Sequence, residues 1–276
     1  MSRKKNKPAL ITSNDEKGIH FLGLCAVAYN KAKLNKDQAQ QLNEKGGEFQ
    51  TALGELIDRF SMYNQFPIQA ATEILGVDKV VEFRDVVRAW GITMPANNPT
   101  IPYSCETLRE CAEENKRGVA DWRLVYVNGF SLRKQEEIRG RNRMNQPCFN
   151  LNNTWWLHSG HKLWANQAVN PGYRLLNFKK NFSNMSCEWR EKRIDDLGER
   201  FEMAEEQAVA EACFSIFMIK KERLMEDWCH QGFSMAGDDH VFVGFSDKDG
   251  FEVRGYYNST GYHGLGAVLY RTVDSH

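Results

Sequence analysis

The sequence predicts a mixed α+β protein, in which an N-terminal helical bundle is followed by a domain that combines helices with a short-stranded antiparallel sheet. Three observations lead to this prediction. Apolar residues recur at helical spacing in the N-terminal part, three prolines fall within residues 94–102, and short apolar runs separated by turn residues dominate residues 241–273.

The N-terminal part carries the signals of three helices. Within residues 37–60 most apolar residues fall three or four positions apart, which predicts an amphipathic helix. Pro67 is placed to open a second, short helix, and Asp78 is placed to cap a third. Together these helices predict a small bundle.

The proline-rich stretch MPANNPTIP is the best candidate for a linker. It divides the chain into a helical domain at 1–93, a linker at 94–102 and an α+β domain at 103–276 whose C-terminal part is rich in strands. The elements predicted for the last domain are a helix at 104–116, a strand at 122–127, a long ordered loop at 144–172, a strand at 172–178, helices at 188–197 and 202–213, and strands at 241–245, 251–253 and 267–273.

Composition excludes several classes of protein. The chain of 276 residues is 42% apolar and carries 36 basic and 36 acidic side chains, which is unlike a disordered protein. It has no apolar run long enough to cross a membrane, no secretory leader, and no C-x-x-C pair among its 7 cysteines. We therefore expect a cytoplasmic protein with reduced thiols and no membrane partner.

The candidate catalytic motifs are weak. Ser234 lies in GFSMA, one residue away from the G-x-S-x-G nucleophile elbow, but a helix-like run precedes it where the elbow needs a strand. Cys229 and His230 are adjacent, and consecutive side chains usually diverge. A hydrolase built from His230, Ser234, Asp238 and His240 is therefore the least favoured hypothesis, and we predict that the protein is not an enzyme.

The sequence indicates no cofactor. It contains no glycine-rich phosphate-binding motif. The residues Cys148, His158, His161 and Cys187 are of zinc-ligand type, but their spacing matches no zinc module. The acidic residues at 247–252 resemble half of a calcium loop and are better explained by a hairpin turn. We predict neither a metal nor a cofactor, and the Cys/His set stays open.

A basic stretch at 116–144 offers an alternative function, nucleic-acid binding. It holds eight basic and three acidic residues and precedes tryptophans at 155, 156 and 164, so that it could contact phosphates while the indoles stack on bases. The residues that would carry this function are Arg133, Lys134, Arg139, Arg141 and Arg143. A solvated helix whose arginines pack on the acidic C-terminal part explains the same pattern.

The segment at 255–264, GYYNSTGYHG, is here called the tyrosine-rich segment, and its composition is typical of a binding loop. Tyr presents a large amphipathic contact area with few torsions, and Ser, Asn and Gly adapt their hydrogen bonding. Apolar strand candidates on both sides would hold it on a rigid sheet. The residues predicted to bind a ligand are Tyr256, Tyr257, Asn258, Tyr262 and His263, with Trp228 beside them as support. A glycine-rich connection whose tyrosines lie flat on the domain is the alternative.

The C-terminal stretch resembles the end of a group of uncharacterised bacterial proteins. Tails of that group share V-x-V-G-x-F, a following D/G-G-x-x-V and a closing G-V-x-x-x-R. The matching residues here are Val241, Val243, Gly244, Phe245, Gly250, Val253, Gly266 and Arg271. Ala267 stands where the group has Val. The resemblance covers residues 100–276 and implies no particular activity.

The tyrosine-rich segment is also similar to the binding region of the C-type-lectin-fold variable proteins of diversity-generating retroelements. Adenine mutagenesis of their AAC or AAT codons yields mainly Asn, Asp, Tyr, His, Ser, Thr and Gly, and every residue at 256–264 belongs to that set. The resemblance implies a C-type-lectin-like domain with a diversified binding segment. We therefore predict non-enzymatic recognition of a protein or small-molecule ligand.

Overall fold

The structure, a computed structural model, describes residues 16–50, 53, 68–94, 99–183, 185–236, 239–256 and 264–273. The chain divides into two compact units, Met1–Ser61 and Met62–His276. Among the described helices, none combines the length and the apolar character that crossing a membrane requires.

The first unit includes the helices α1 (Glu16–Ala32) and α2 (Lys36–Glu44). Asn35 caps α2 with a capping box: its side chain accepts from the Gln38 N–H at 2.8 Å, and the Gln38 side chain accepts from the Asn35 N–H at 3.0 Å. This cap explains why a helix begins close to the predicted position. Residues 51–52 and 54–60 of the predicted helix lie outside the described residues.

The second unit contains both helices and strands. Its helices are α3 (Ile68–Leu75), α4 (Phe83–Trp90), α5 (Cys105–Lys116), α6 (Leu132–Arg139), α7 (Lys162–Ala165), α8 (Cys187–Asp195) and α9 (Glu206–Lys220), with 3-10 turns at Val77–Lys79, Trp155–Leu157 and Ser159–His161. Its strands are β1 (Val80–Val81), β2 (Trp122–Val127), β3 (Gly172–Asn181), β4 (Phe201–Met203), β5 (Cys229–Ala236), β6 (Asp239–Asp247), β7 (Gly250–Tyr256) and β8 (Leu265–Arg271). The predicted α+β class is confirmed.

The described strands form one sheet in the order β1-β2-β3-β8-β5-β6-β7, and β4 also pairs with β8. Strands β5, β6 and β7 form an antiparallel meander, and β8 then returns to the far side of β5, where it runs parallel to it. β1 is likewise parallel to β2. The sheet is therefore mixed, and the prediction of an antiparallel sheet is wrong for these two pairs. β7 ends the sheet on one side.

The second unit begins at Met62, well before the predicted linker at 94–102. Helices α3 and α4 belong to it because they bury their apolar faces in the same core as β2; Ala71, Val86 and Leu124 are all fully buried in one cluster. The structure therefore places the C-terminal part of the predicted helical domain on the sheet. Residues 95–98 lie outside the described residues.

Helix α9 lies in the middle of the second unit. Residues 206–216 are all buried, because α9 packs against α4, β2, β5 and β6. Glu211 accepts hydrogen bonds from three successive backbone N–H groups at 128–130 and so fixes the turn after β2. Burial raises the pKa of Glu211 to about 7, although these hydrogen bonds favour its charged form.

His230 joins three parts of the chain inside the core. Its ring is fully buried; Nε2 donates to Ala204 O at 2.8 Å, and Nδ1 accepts from the Val268 N–H at 3.0 Å. The two partners assign a neutral ring, because a protonated Nδ1 cannot accept a hydrogen bond. Burial, together with the positive charge of Arg190, lowers the pKa of His230 to about 3.

Replacing His230 by Gln should remove a pH dependence of stability. The folded His230 stays neutral down to about pH 3, whereas an unfolded histidine titrates at about 6.5, so its stabilising contribution is complete above pH 6.5 and is lost as the pH falls. We expect the difference in unfolding free energy between the native protein and His230→Gln to shrink by about 2 kcal/mol from pH 7.5 to pH 5, measured in urea titrations.

For Glu211→Gln we expect a pH dependence of stability opposite in sign to that of His230→Gln. Folding raises the pKa of Glu211, so the stability that this carboxyl contributes is complete below its ordinary value of 4.5 and is lost as the pH rises through about 7. The unfolding free energy of the native protein relative to Glu211→Gln should therefore fall from pH 5 to pH 8. Differences that stay constant with pH would contradict the shifted pKa values of both groups.

Candidate binding cavity beside strand β7

The described residues form a cavity of about 560 Å³ beside the C-terminal half of β7. This volume is within the range of small-molecule sites, about 300–1,000 Å³. One wall is the edge strand, and the other is the loop that leads into the 3-10 turn at 155–157. The lining residues are Asn150, Asn152, Asn153, Thr154, Trp155, His158, Glu252, Arg254 and Gly255.

The loop is fastened to the outer edge of β7. Phe149 and Phe251 form a parallel bridge, and their rings meet edge to face with centroids 6.3 Å apart. The Phe251 N–H donates to Cys148 O at 2.8 Å, and the Asn150 N–H donates to Phe251 O at 3.0 Å. The sheet edge is therefore covered at the start of β7, and the cavity begins where the loop leaves the strand.

Trp155 forms a fixed wall of the cavity. Its indole stacks on the His161 ring, with centroids 4.2 Å apart and an angle of 28° between the planes. His161 is held in turn, because its Nδ1 donates to Ala236 O at 3.1 Å. The indole also lies directly on the backbone of Gly255, where an added Cβ would stand 2.0 Å from Trp155 Cζ2. Both contacts restrict the ring before any ligand arrives.

The charged residues of the cavity wall neutralise each other. Arg254 Nη2 donates to Glu252 Oε1 at 2.8 Å, and Asn150 Nδ2 lies 3.5 Å from the same oxygen. The Glu252 side chain is largely buried, whereas the Arg254 side chain is exposed. The described wall therefore presents an internal ion pair rather than a free charge of either sign.

Most of the remaining polar groups of the wall are uncharged. Asn150, Asn152 and Asn153 contribute amides, and Thr154 contributes a hydroxyl. Asn153 Nδ2 is buried and has no hydrogen-bond partner among the described residues. A buried donor without a partner is uncommon in folded proteins. The cavity thus combines uncharged donors and acceptors with one aromatic wall.

The tyrosine-rich segment begins at this cavity. Tyr256 ends β7, one residue after Gly255, and the structure describes its backbone but not its side chain. The predicted contact residues that lie outside the described residues are Tyr257, Asn258, Tyr262 and His263. Trp228 is 5% exposed and packs on Gly266 at the start of β8, so it supports the strand after the segment and does not face a ligand.

The basic stretch does not present a row of free cations. Arg141 is largely buried, pairs with Glu136 at 3.0 Å and lies over the Trp156 ring. Arg139 donates to the Pro147 carbonyl at 3.1 Å. The other predicted phosphate contacts form the ion pairs Arg133–Glu136, Lys134–Glu137 and Arg143–Asp249. The pairs at Lys134 and Arg143 are exposed and contribute only about 0–1 kcal/mol each, so the partly buried contacts of Arg141 and Arg139 are what weaken the nucleic-acid alternative.

The residues of the hydrolase hypothesis do not form a catalytic pair in the described part of the chain. Ser234 Oγ donates to the buried Glu206 at 2.6 Å, and burial raises the pKa of that carboxyl. His230 uses both ring nitrogens on backbone groups, so it is not available as a base for Ser234. His240 lies on the neighbouring strand, and Asp238 is outside the described residues.

The Cys/His set shows no convergent geometry in the described residues. No group of three or more His, Cys, Asp or Glu side chains in that part of the chain could hold a metal ion. Cys148 is buried, His158 lines the cavity, and His161 stacks on an indole. The side chain of Cys187 is outside the described residues.

Sequence reasoning did not single out most of the cavity residues. Their signal is the run NLNNTWWLH, which is rich in Asn and Trp and lies within the loop predicted at 144–172. The partner of this run could not be read from the sequence, because Asn150 contacts Glu252, which is 102 residues further along the chain.

Comparison of the chain with protein-family models, with curated proteins and with solved structures finds no match. The fold and the cavity describe a mixed α+β protein that carries a small-molecule-sized cavity at the edge of its sheet.

Replacing Gly255 by Ala should displace Trp155. The added methyl would stand 2.0 Å from Trp155 Cζ2, and the indole is also stacked on His161, so either the ring or β7 has to move. We expect the free energy of unfolding to fall by about 1–3 kcal/mol, measured by urea titration with tryptophan fluorescence.

Gly160→Ala is the matched control for this substitution. A methyl added there meets no atom within 4 Å, so the unfolding free energy should stay within about 0.5 kcal/mol of the native value. Equal stability of the two variants would show that Trp155 does not pack on Gly255.

Proposed function

We propose that this protein is a non-enzymatic recognition protein whose binding site combines the cavity beside β7 with the tyrosine-rich segment. The observation that carries the proposal is the position of the cavity, since Gly255 is both a lining residue of the cavity and the first residue of the segment. A ligand seated against Gly255 lies at the point where the tyrosine side chains begin.

Both ends of the segment are anchored in the sheet. β7 pairs with β6 along most of its length, and β8 pairs with β3, β4 and β5. Binding residues are concentrated on loops that a rigid scaffold positions in this way. Tyr, Asn, Ser and Gly are also the residues that form adaptable contact surfaces at low entropic cost.

Under this proposal, the α+β unit serves as a C-type-lectin-like scaffold and the tyrosine-rich segment is the diversified surface of a retroelement-type variable protein. The ligand is a protein or a small molecule that the protein meets in the cytoplasm. No catalytic step is assigned, because His230 and the Ser234–Glu206 pair act in the packing of the core.

Filling the cavity should prevent ligand capture. An indole introduced by Asn152→Trp would occupy the space beside Trp155 without replacing a buried side chain, since Asn152 is exposed. We expect capture of specific partners from an extract of the source cells to fall by about tenfold or more, measured by affinity purification and quantitative mass spectrometry. The simultaneous change of Tyr256, Tyr257 and Tyr262 to Ala should have the same effect.

Leu163→Trp is the control for the added indole. Leu163 is 88% exposed and does not line the cavity, so this variant should capture the same partners as the native protein. All variants should keep the native melting temperature. Capture that survives either the filled cavity or the loss of the tyrosines would contradict a composite site.

A further inference from the structure

We infer that the cavity beside β7 binds a neutral carbohydrate. This inference rests on the proposed function, because it names the ligand class of the same cavity. It follows from the charges, the hydrogen-bonding groups and the aromatic surface of the described wall.

The charges of the wall favour no ion. Glu252 and Arg254 pair at 2.8 Å, and they are the lining residues with a carboxylate and a guanidinium. The pair leaves these two side chains with no net charge, so the described wall offers neither an anion nor a cation an excess of opposite charge. An uncharged ligand needs no such excess.

The uncharged polar groups match the chemistry of sugar hydroxyls. An Asn amide carries two N–H donors and a carbonyl acceptor, and the Thr154 hydroxyl can donate or accept. Asn150 already uses one N–H on Glu252 and its carbonyl on the Asn152 N–H, so within the described wall Asn152 has the amide with more free groups. A sugar hydroxyl also donates and accepts, so it can pair with either end of an amide.

Trp155 supplies the apolar surface that a sugar ring needs. A pyranose carries hydroxyls around its rim and C–H groups on its faces, and an indole packs against such a face without displacing a hydrogen bond. The contacts with His161 and Gly255 hold the indole in place, so that little conformational freedom is lost on binding.

A nucleotide fits the same wall less well. Its phosphates favour a lining with net positive charge, and the Glu252–Arg254 pair leaves these two wall residues without one. A nucleoside without phosphate shares the stacking chemistry of a sugar and is the rival ligand that the experiment has to separate.

The test uses the full chain on an array of neutral, sialylated and sulfated glycans. Calorimetric titration follows, with the neutral glycan that binds best and with the four ribonucleosides. We expect at least one neutral glycan to bind with an affinity that changes less than about twofold between about 50 and 500 mM salt, because no free charge is involved. Sulfation should give no gain in binding.

Two variants test the assigned contacts. Asn153→Ala and Trp155→Ala should each weaken the binding of that glycan by about tenfold or more, whereas Leu163→Ala, outside the cavity, should bind like the native protein. If Trp155→Ala lowers the melting temperature, the result for Asn153→Ala decides. This variant should keep its stability, because the Nδ2 that it removes has no hydrogen-bond partner among the described residues.

The inference is overturned if no neutral glycan binds, if only sulfated glycans or ribonucleosides bind, or if Asn153→Ala binds like the native protein. These failures differ from a failure of the proposed function. If Asn152→Trp still prevents partner capture while no glycan binds, the ligand class is wrong and the recognition site stands. If Asn152→Trp leaves capture unchanged, the recognition site itself is wrong.

Discussion

The burial of helix α9 is the constraint on which the second unit depends. A helix that is buried along most of its length must satisfy its polar side chains within the protein. Glu211 accepts hydrogen bonds from the backbone N–H groups at 128–130. Ser215 accepts one from Trp90 Nε1 at 2.8 Å, and Glu206 accepts one from Ser234 of β5. These bonds attach the turn after β2, helix α4 and strand β5 to the same helix. The cavity depends on this arrangement because β6 and β7 are built outward from β5.

The cavity arises from the way in which the end of the sheet is covered. An edge strand exposes backbone donors and acceptors that favour pairing with other chains, and folded proteins usually protect them. Here the loop pairs with β7 at Phe149, moves away, and returns with Trp155 at Gly255. Two separate contacts leave a space between them, whereas a ninth strand paired along all of β7 would close it. The cavity therefore exists because the loop pairs with only part of β7.

Local signals allowed much of the fold to be predicted. Strand β2 has the predicted bounds because WRLVYV has strong β propensity, and α5 begins after Ser104 because that side chain caps the helix. Strand β5 was missed because CHQGFSMA has no apolar alternation; His230 and Gln231 are buried only because backbone groups and Arg190 satisfy them. Local patterns do not encode tertiary contacts. They therefore could not predict which element an amphipathic helix packs against, nor that two segments 102 residues apart meet at the cavity.

The packing of Trp155 on Gly255 also bears on how the sequence can evolve. At position 255 any side chain collides with the indole, so selection can retain only glycine there while the wall keeps its shape. The residues that follow are encoded separately from this contact. Under the proposed function, a segment whose later codons are rewritten would keep this glycine and its contact with the indole.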